Sequence, residues 1–253
     1  MKRWIVCILA LLILSGCAAQ DLSQADIAEY GAEILAGDAA ESRYYQTTFS
    51  PDWLPEGADY DSLTLLETPA GYFAGTLRLE NAALPELIPW GALHLQLAGE
   101  NTISGNIGGT GLLLGGDGSL AVQTLGLYGW GGLDGALIIE DGVHVAAQTV
   151  QLDSAGGGEA AAEIAGELTC AGEVWMKNAA LTVSGELRAD GAVSIERGRV
   201  EITDGTVYLA EGLWLGEGDV VVSGGEVIVP GGLDALCCDH GEVLVTGGTV
   251  REP

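Results

Sequence analysis

The feature that most narrows what this chain can fold into is a repeat of about twenty residues between Leu168 and Val229. Leu168-Thr169-Cys170, Leu187-Arg188-Ala189, Val207-Tyr208-Leu209 and Val227-Ile228-Val229 form one column, at spacings of 19, 20 and 20. A second column reads Val174-Trp175-Met176, Val193-Ser194-Ile195 and Leu213-Trp214-Leu215. In the third, Asn178, Gly198, Gly218 and Gly241 each open an alternating segment such as Arg199-Val200-Glu201-Ile202. Three short alternating segments per repeat, parted by glycine-containing turns, specify a stacked parallel β-solenoid. A helical repeat needs longer segments with a 3.6-residue period. The expectation is an all-β, single-stranded parallel β-helix over residues 62–253, of about nine coils and on the order of 40 Å long at the spacing of sheet strands.

Alternation assigns the faces of each coil. Val200, Ile202, Val220, Val222, Val243 and Val245 point inward and stack on their own kind, which builds a core from neighbour contacts alone. One turn position is expected to hold Gly118, Gly142, Asn178, Gly198, Gly218 and Gly241, with Glu80-Asn81 and Glu100-Asn101 recurring earlier. Gly and Asn are the residues that tolerate left-handed backbone. The parallel coils are expected to begin near Ser62, with Leu63-Thr64-Leu65. No cap is legible beside Arg251-Glu252-Pro253; either Pro253 and the flanking charges blunt the last edge or a second chain stacks on it.

The N-terminus carries a different signal. Lys2-Arg3 precede an apolar run from Trp4 to Leu14, too short to span a bilayer and of the length of a secretory signal. It ends in Leu14-Ser15-Gly16-Cys17, which resembles a bacterial lipobox. On that resemblance residues 1–16 are a removable signal and Cys17 is the lipidation site, tethering the chain to the outer face of the cell membrane. The alternative is an ordinary secretory signal that contains a cysteine. Residues 17–61 are expected to form a tether, a helix from about Gln24 to Ala40 with Ile27, Tyr30, Ile34 and Leu35 on one face, and an irregular stretch holding Tyr44, Tyr45 and Trp53. This segment is expected to cover the first strand edge; alternatively, its aromatic residues form a ligand platform.

Removing Lys2 and Arg3 leaves seven basic residues against 36 acidic ones, a formal charge of −29. Such a surface excludes nucleic acid as a partner. It suits hard cations such as Ca²⁺, and Glu140-Asp141, Glu217 with Asp219, and Asp239 with Glu242 are candidate turns for one, though none has the dense aspartate spacing of a calcium loop. No metal ligand set and no cofactor motif is otherwise legible. His94, His144 and His240 fall on distant coils, which precludes a zinc site or a catalytic triad from them. The run Gly105–Gly111 lacks the lysine and helix of a phosphate loop. Cys170 and Cys238 are expected to be small inward fillers, with a strained vicinal Cys237–Cys238 disulfide as the other option for that pair.

What remains for binding lies outward. Trp175, Ser194 and Trp214 fall in one column on three successive coils, with the indoles about 10 Å apart; Arg188 and Tyr208 lie outward in the adjoining column. Aromatic faces bury sugar C–H surfaces and a guanidinium can clasp a carboxylate, so these five residues are the candidate carbohydrate site. Covering the outside of the sheet beneath long turns would equally explain the tryptophans. Arg199 is expected to pair across strands with Asp219 or with the neighbouring Glu201.

The segments Leu77-Arg78-Leu79-Glu80-Asn81-Ala82, Leu93 to Ile103 and Gly115 to Val122 resemble the pectate-lyase-like right-handed β-helix proteins of bacterial surfaces, often described as carbohydrate-binding-domain proteins. That resemblance implies the right-handed sense of the coil, surface display, and binding of plant cell-wall polysaccharide, including acidic pectic chains, with Ca²⁺ assistance in some members. The family's lyases need clustered aspartates beside a basic residue, and its hydrolases need paired aspartates with His and Arg. Neither set falls on adjacent coils here, so no catalytic residue is carried over and no enzyme is expected. The function expected is a surface-anchored lipoprotein that binds an extracellular glycan. The alternatives are a structural or adhesive rod that binds protein partners and, third, a polysaccharide lyase.

Overall fold

The computed structural model describes residues 54–253, apart from 69–70, 90, 130–134 and 155–157. Cys17, the helix expected near Gln24 to Ala40, and Tyr44, Tyr45 and Trp53 lie outside the described residues. After a first, antiparallel strand the chain forms a parallel β-solenoid of about eight turns, the architecture that the twenty-residue repeat specifies.

Three sheets run the length of the solenoid. The first includes Ala92–Ala98, Gly111–Gly116, Ala136–Ile139, Ala160–Ile164 and Ala179–Val183, each paired parallel with the next. The second includes Glu167–Cys170, Glu186–Ala189, Thr206–Leu209 and Glu226–Ile228. In the third, Val174–Lys177 lies between the end of His144–Ser154 and the start of Val193–Ile202. The columns read from the repeat are observed in register: Leu168 pairs with Leu187, Arg188 with Tyr208, Trp175 with Ser194, and Ser194 with Trp214. After eight full turns, Val243–Val245 and Thr249–Arg251 add two strands of a ninth.

Aliphatic ladders hold the turns together. One climbs the first sheet from Leu77 through Leu95, Leu114, Ile139, Ile164, Val183, Ile202 and Val222 to Val245. Each member through Val222 is essentially inaccessible, while Val245 on the last level is 43% exposed. A buried side chain of this kind stabilises the fold by about 1.5–3 kcal/mol through area removed from water. Because every rung touches only the rungs above and below, the core needs no long-range closure. Cys170 is one such rung: its thiol is fully buried, with the carbonyl oxygens of Glu173 at 3.5 Å and of Gln148 and Gly172 at 3.6 Å as acceptors for its one proton. Burial pushes its pKa up, which keeps it neutral. Cys237 and Cys238 are both free thiols, Cys237 exposed and Cys238 half-buried toward the interior.

The beginning of the stack differs from expectation. The strand β1 (Ala58–Thr68), which contains Leu63-Thr64-Leu65, runs antiparallel to β2 (Gly71–Glu80). Parallel stacking therefore begins with β2, against Ala92–Ala98. The β1–β2 hairpin also covers an outer face: Phe73 is buried against outward-pointing Leu113, Ile138 and Ala136, with Leu66 and Ala92 beside them. A β-carbon at Gly111 would clash with that of Ala92 at 2.9 Å, with the Phe73 ring in contact at 3.4 Å, so the glycine makes room for this external cluster. Apolar residues on the outside of the first sheet near its start thus find cover within the chain.

The single turn column divides into two corners. Gly118 and Gly142 precede strands of the second sheet, whereas Asn178, Gly198, Gly218 and Gly241 adjoin strands of the first. Asn81 and Asn178 have positive φ, 53° and 48°, as a left-handed corner requires. The two Glu-Asn pairs likewise do different work. The Asn81 side chain accepts from the Glu100 amide at 3.1 Å at its corner. Asn101 is buried inside a strand, where it accepts from the Ala82 amide and donates to the carbonyls of Ala98 and Ser119, bridging three levels. A buried amide is stable there because its polar atoms are satisfied.

Candidate functional site

The outer face of the third sheet collects the exposed aromatic rings. Trp175, Ser194 and Trp214 stand in register on successive levels, Trp214 at 39% exposure and Trp175 half-buried. Alternation sends all three outward, because Val174, Met176, Val193, Ile195, Leu213 and Leu215 take the inward positions. At that exposure the Trp214 ring is open to solvent and is not sealed beneath a long turn.

Two features fix that ring. Its Nε1 donates to the Asp239 carboxylate at 3.2 Å, one level up. Beside it lies Gly216, two residues on, where a β-carbon would meet first the Glu196 carbonyl oxygen, at 2.6 Å, and then the indole, at 3.1 and 3.3 Å. The glycine therefore admits both the close approach of the strand below and an indole that lies along its own strand. Tyr128 repeats the arrangement in reverse order: its ring lies over Gly126, its hydroxyl donates to Gln151 at 2.8 Å on the next level, and it is 46% exposed. Gly126 pairs with Gln151 and Gln151 with Trp175, so the tyrosine ring falls in the tryptophan row. Tyr128 was not recognised from the sequence. Its signal was available as the Gly126-Leu127-Tyr128 and Trp214-Leu215-Gly216 triplets, each an aromatic residue and a glycine on one face of a strand.

Charges flank the row. Lys177 pairs with Glu196 on the following level at 3.1 Å, and Asp153 and Asp239 share the same outer row as that pair. With Glu173 at the corner, four carboxylates accompany one ammonium group. Exposed pairs of this kind contribute at most about 1 kcal/mol, but their sum sets a negative local field.

Arg188 and Tyr208 are brought together with each other and not with the tryptophans. They are neighbours in the second sheet, across the corners formed by Asp190–Ala192 and Ala210–Gly212. The guanidinium carbon sits 4.4 Å from the Tyr208 ring centroid, and one guanidinium nitrogen is 2.8 Å from the Asp190 carboxylate. Stacking and an ion pair already occupy the fork that was expected to clasp a ligand carboxylate. Arg199 bonds Glu201 in its own strand at 3.2 Å, while the Asp219 carboxylate accepts from the Glu242 amide at 3.0 Å. The cross-strand pair at this corner is Arg197 with Glu217, at 2.9 Å.

Among the described residues, no three His, Cys, Asp or Glu side chains converge as a metal site. His144 contacts Glu167 at 2.6 Å on the outside of the second sheet. His94 is half-buried on the first sheet, 3.0 Å from the Thr76 hydroxyl. Its pKa is lowered by burial and then by the Arg78 charge.

No family model, no curated protein and no solved structure matches this chain.

Proposed function

We propose that the chain is a surface-anchored lipoprotein, tethered to the bacterial membrane through Cys17, whose β-solenoid binds extracellular carbohydrate on the outer face of the third sheet. The observation that carries this proposal is the register of Trp175, Ser194 and Trp214. Two outward-pointing indoles lie two levels apart on one sheet with a hydroxyl between them. Flat aromatic faces with polar groups at their margins suit the C–H faces and hydroxyl edges of sugars. Arg188 and Tyr208 extend the contact only for a ligand that rounds the corner to the second sheet. Membrane attachment is checked separately, by mass spectrometry of the N-terminal peptide for acyl chains on Cys17.

The binding test is a glycan array and pull-down with the full-length chain, with and without Ca²⁺, alongside Trp214→Ala. Binding that weakens at least about tenfold in the variant supports the proposal, in line with the loss of one buried aromatic contact. No binding to any glycan, or unchanged binding by Trp214→Ala, defeats it.

A second proposal, a structural or adhesive rod, is favoured by one observation. Leu244 and Val245, on the last described level, are 41% and 43% exposed, and Leu233, in the 3-10 turn before Leu236–His240, is 49% exposed, apolar groups suited to protein contact. A mass that rises with protein concentration in light scattering would favour it over the glycan proposal.

A further inference from the structure

The row of rings on the third sheet has a period. Tyr128 over Gly126, then Trp175, then Trp214 occupy alternate levels, separated by Gln151 and Ser194. At the strand spacing, consecutive rings are about 10 Å apart and the row spans about 20 Å along the solenoid axis. A ligand matched to all three must be extended, must present an apolar face at the same interval, and must keep that face on one side.

We infer that the ligand of this face is a neutral, β-1,4-linked glycan of at least five or six sugars, lying along the solenoid axis with Tyr128, Trp175 and Trp214 each stacked under every second ring. The inference rests on the carbohydrate-binding proposal above and narrows it. An extended β-1,4-linked chain is a ribbon in which alternate sugars turn the same face to the same side. Its two-sugar repeat is close to two strand spacings. An α-1,4-linked uronan winds with a different screw and presents no such face at that interval. Charge selects in the same direction. The groups beside the row are Asp153, Glu173, Glu196 and Asp239, with Lys177 already paired to Glu196, and a polyanion would be repelled. Arg188, the basic group expected to attract uronates, is on another sheet and engaged by Asp190 and Tyr208.

The rings are also preorganised. Tyr128 and Trp214 each rest over a glycine and donate to a side chain one level up. A ligand therefore meets rings already immobilised, which lowers the entropic cost of binding. Gln151 and Ser194, between the rings, are placed to meet hydroxyl groups at the edges of the intervening sugars.

The test is isothermal titration of the full-length chain with β-1,4-linked hexaoses of glucose, mannose and xylose, the matching trioses, and polygalacturonate. Tyr128→Ala, Gly126→Ala and Trp214→Ala are compared, with far-UV circular dichroism confirming the fold. The nearest atoms to a β-carbon at Gly126 all belong to Tyr128, at 3.3, 3.5 and 3.8 Å; Gly126→Ala therefore moves the ring by a few tenths of an ångström without removing it. The expected result is hexaose bound at least about tenfold tighter than triose, with hexaose affinity falling at least about fivefold in Tyr128→Ala and by less in Gly126→Ala. Triose binding should be unchanged by either of these two variants. Loss of hexaose binding in Trp214→Ala with none in Tyr128→Ala would overturn the inference and leave the carbohydrate proposal standing. Polygalacturonate bound more tightly than every neutral hexaose would do the same. Absence of binding to any sugar would defeat both.

Discussion

Gly218→Ala is predicted to be among the most damaging single-methyl additions in the chain. Gly218 has a φ of +132°, and a β-carbon there would fall inside the van der Waals envelope of the Gly198 carbonyl oxygen, one level down. Two costs add. Holding an L-residue in that region of backbone space costs about 1–3 kcal/mol. Relieving the overlap requires parting the strands at Arg197–Glu217 and Arg199–Asp219, which are paired on either side of Gly198 and Gly218; one or two weakened ladder hydrogen bonds add about 1 kcal/mol each. The expected total is about 2–5 kcal/mol. Gly142 provides the comparison: its φ is +84°, but a β-carbon there would meet only the Gly116 carbonyl oxygen, at 3.4 Å. Gly142→Ala therefore carries the conformational cost alone, about 1–2 kcal/mol. The assay is urea unfolding followed by far-UV circular dichroism. Because solenoids can lose cooperativity, amide exchange of the peptide covering 193–222 accompanies it. Equal destabilisation by the two variants, or a cost below about 1 kcal/mol for Gly218→Ala, would refute the claim that close approach of the coils dictates this glycine.

Two further predictions concern the core and pH. Leu215 is fully buried between Ile195 and Cys238 on adjacent levels, so Leu215→Ala should cost about 2–5 kcal/mol. Val245→Ala, on the half-open last level, should cost less than about 1 kcal/mol, and comparable urea midpoints for the two would contradict the ladder description. His94 has a folded-state pKa depressed first by burial and then by Arg78. On acidification the unfolded chain takes up this proton first, near pH 6.5. The contribution of His94 is therefore fully present above that pH and is lost as the pH falls toward the depressed folded value. The stability of the native chain relative to His94→Gln should decrease between about pH 7.5 and about pH 5, measured by paired urea titrations; a pH-independent difference would rule this out.

The stacked solenoid, its inward aliphatics and the register of the Trp175 and Arg188 columns were legible because each coil touches only its neighbours. A fold whose contacts recur at one separation, about one coil, writes its packing into a fixed period, and inward positions such as Leu187, Val207 and Val227 repeat because they meet the same environment on every level. Corners were less legible. Gly118 and Gly218 look alike in sequence, yet they precede different sheets, since one strand bends through the corner after Val122 and another through that beside Gly198. Period counts residues without saying where within a coil the chain turns.

Outward side chains depended most on the tertiary structure. An exposed group can reach a partner along its own strand, across to either adjacent level or over a corner, and these choices differ little in energy. Alternation alone placed Arg199 beside both Asp219 and Glu201, and only the folded geometry gave it Glu201. The same freedom hid Tyr128 from the pattern, because its ring leans back over Gly126 into a row that its own β-carbon does not occupy. The β1–β2 hairpin was hidden for another reason: its antiparallel strands alternate just as parallel ones do, and direction is set by the chain reversal near Gly71, not by the pattern of side chains. The sequence by itself thus determined the stack and its dry interior, which arise from a local period and the removal of apolar area from water. Tertiary structure decided how the outer surface is shared among covering hairpin, ion pairs and open aromatic row, because those contacts compete at nearly equal energies and geometry selects among them.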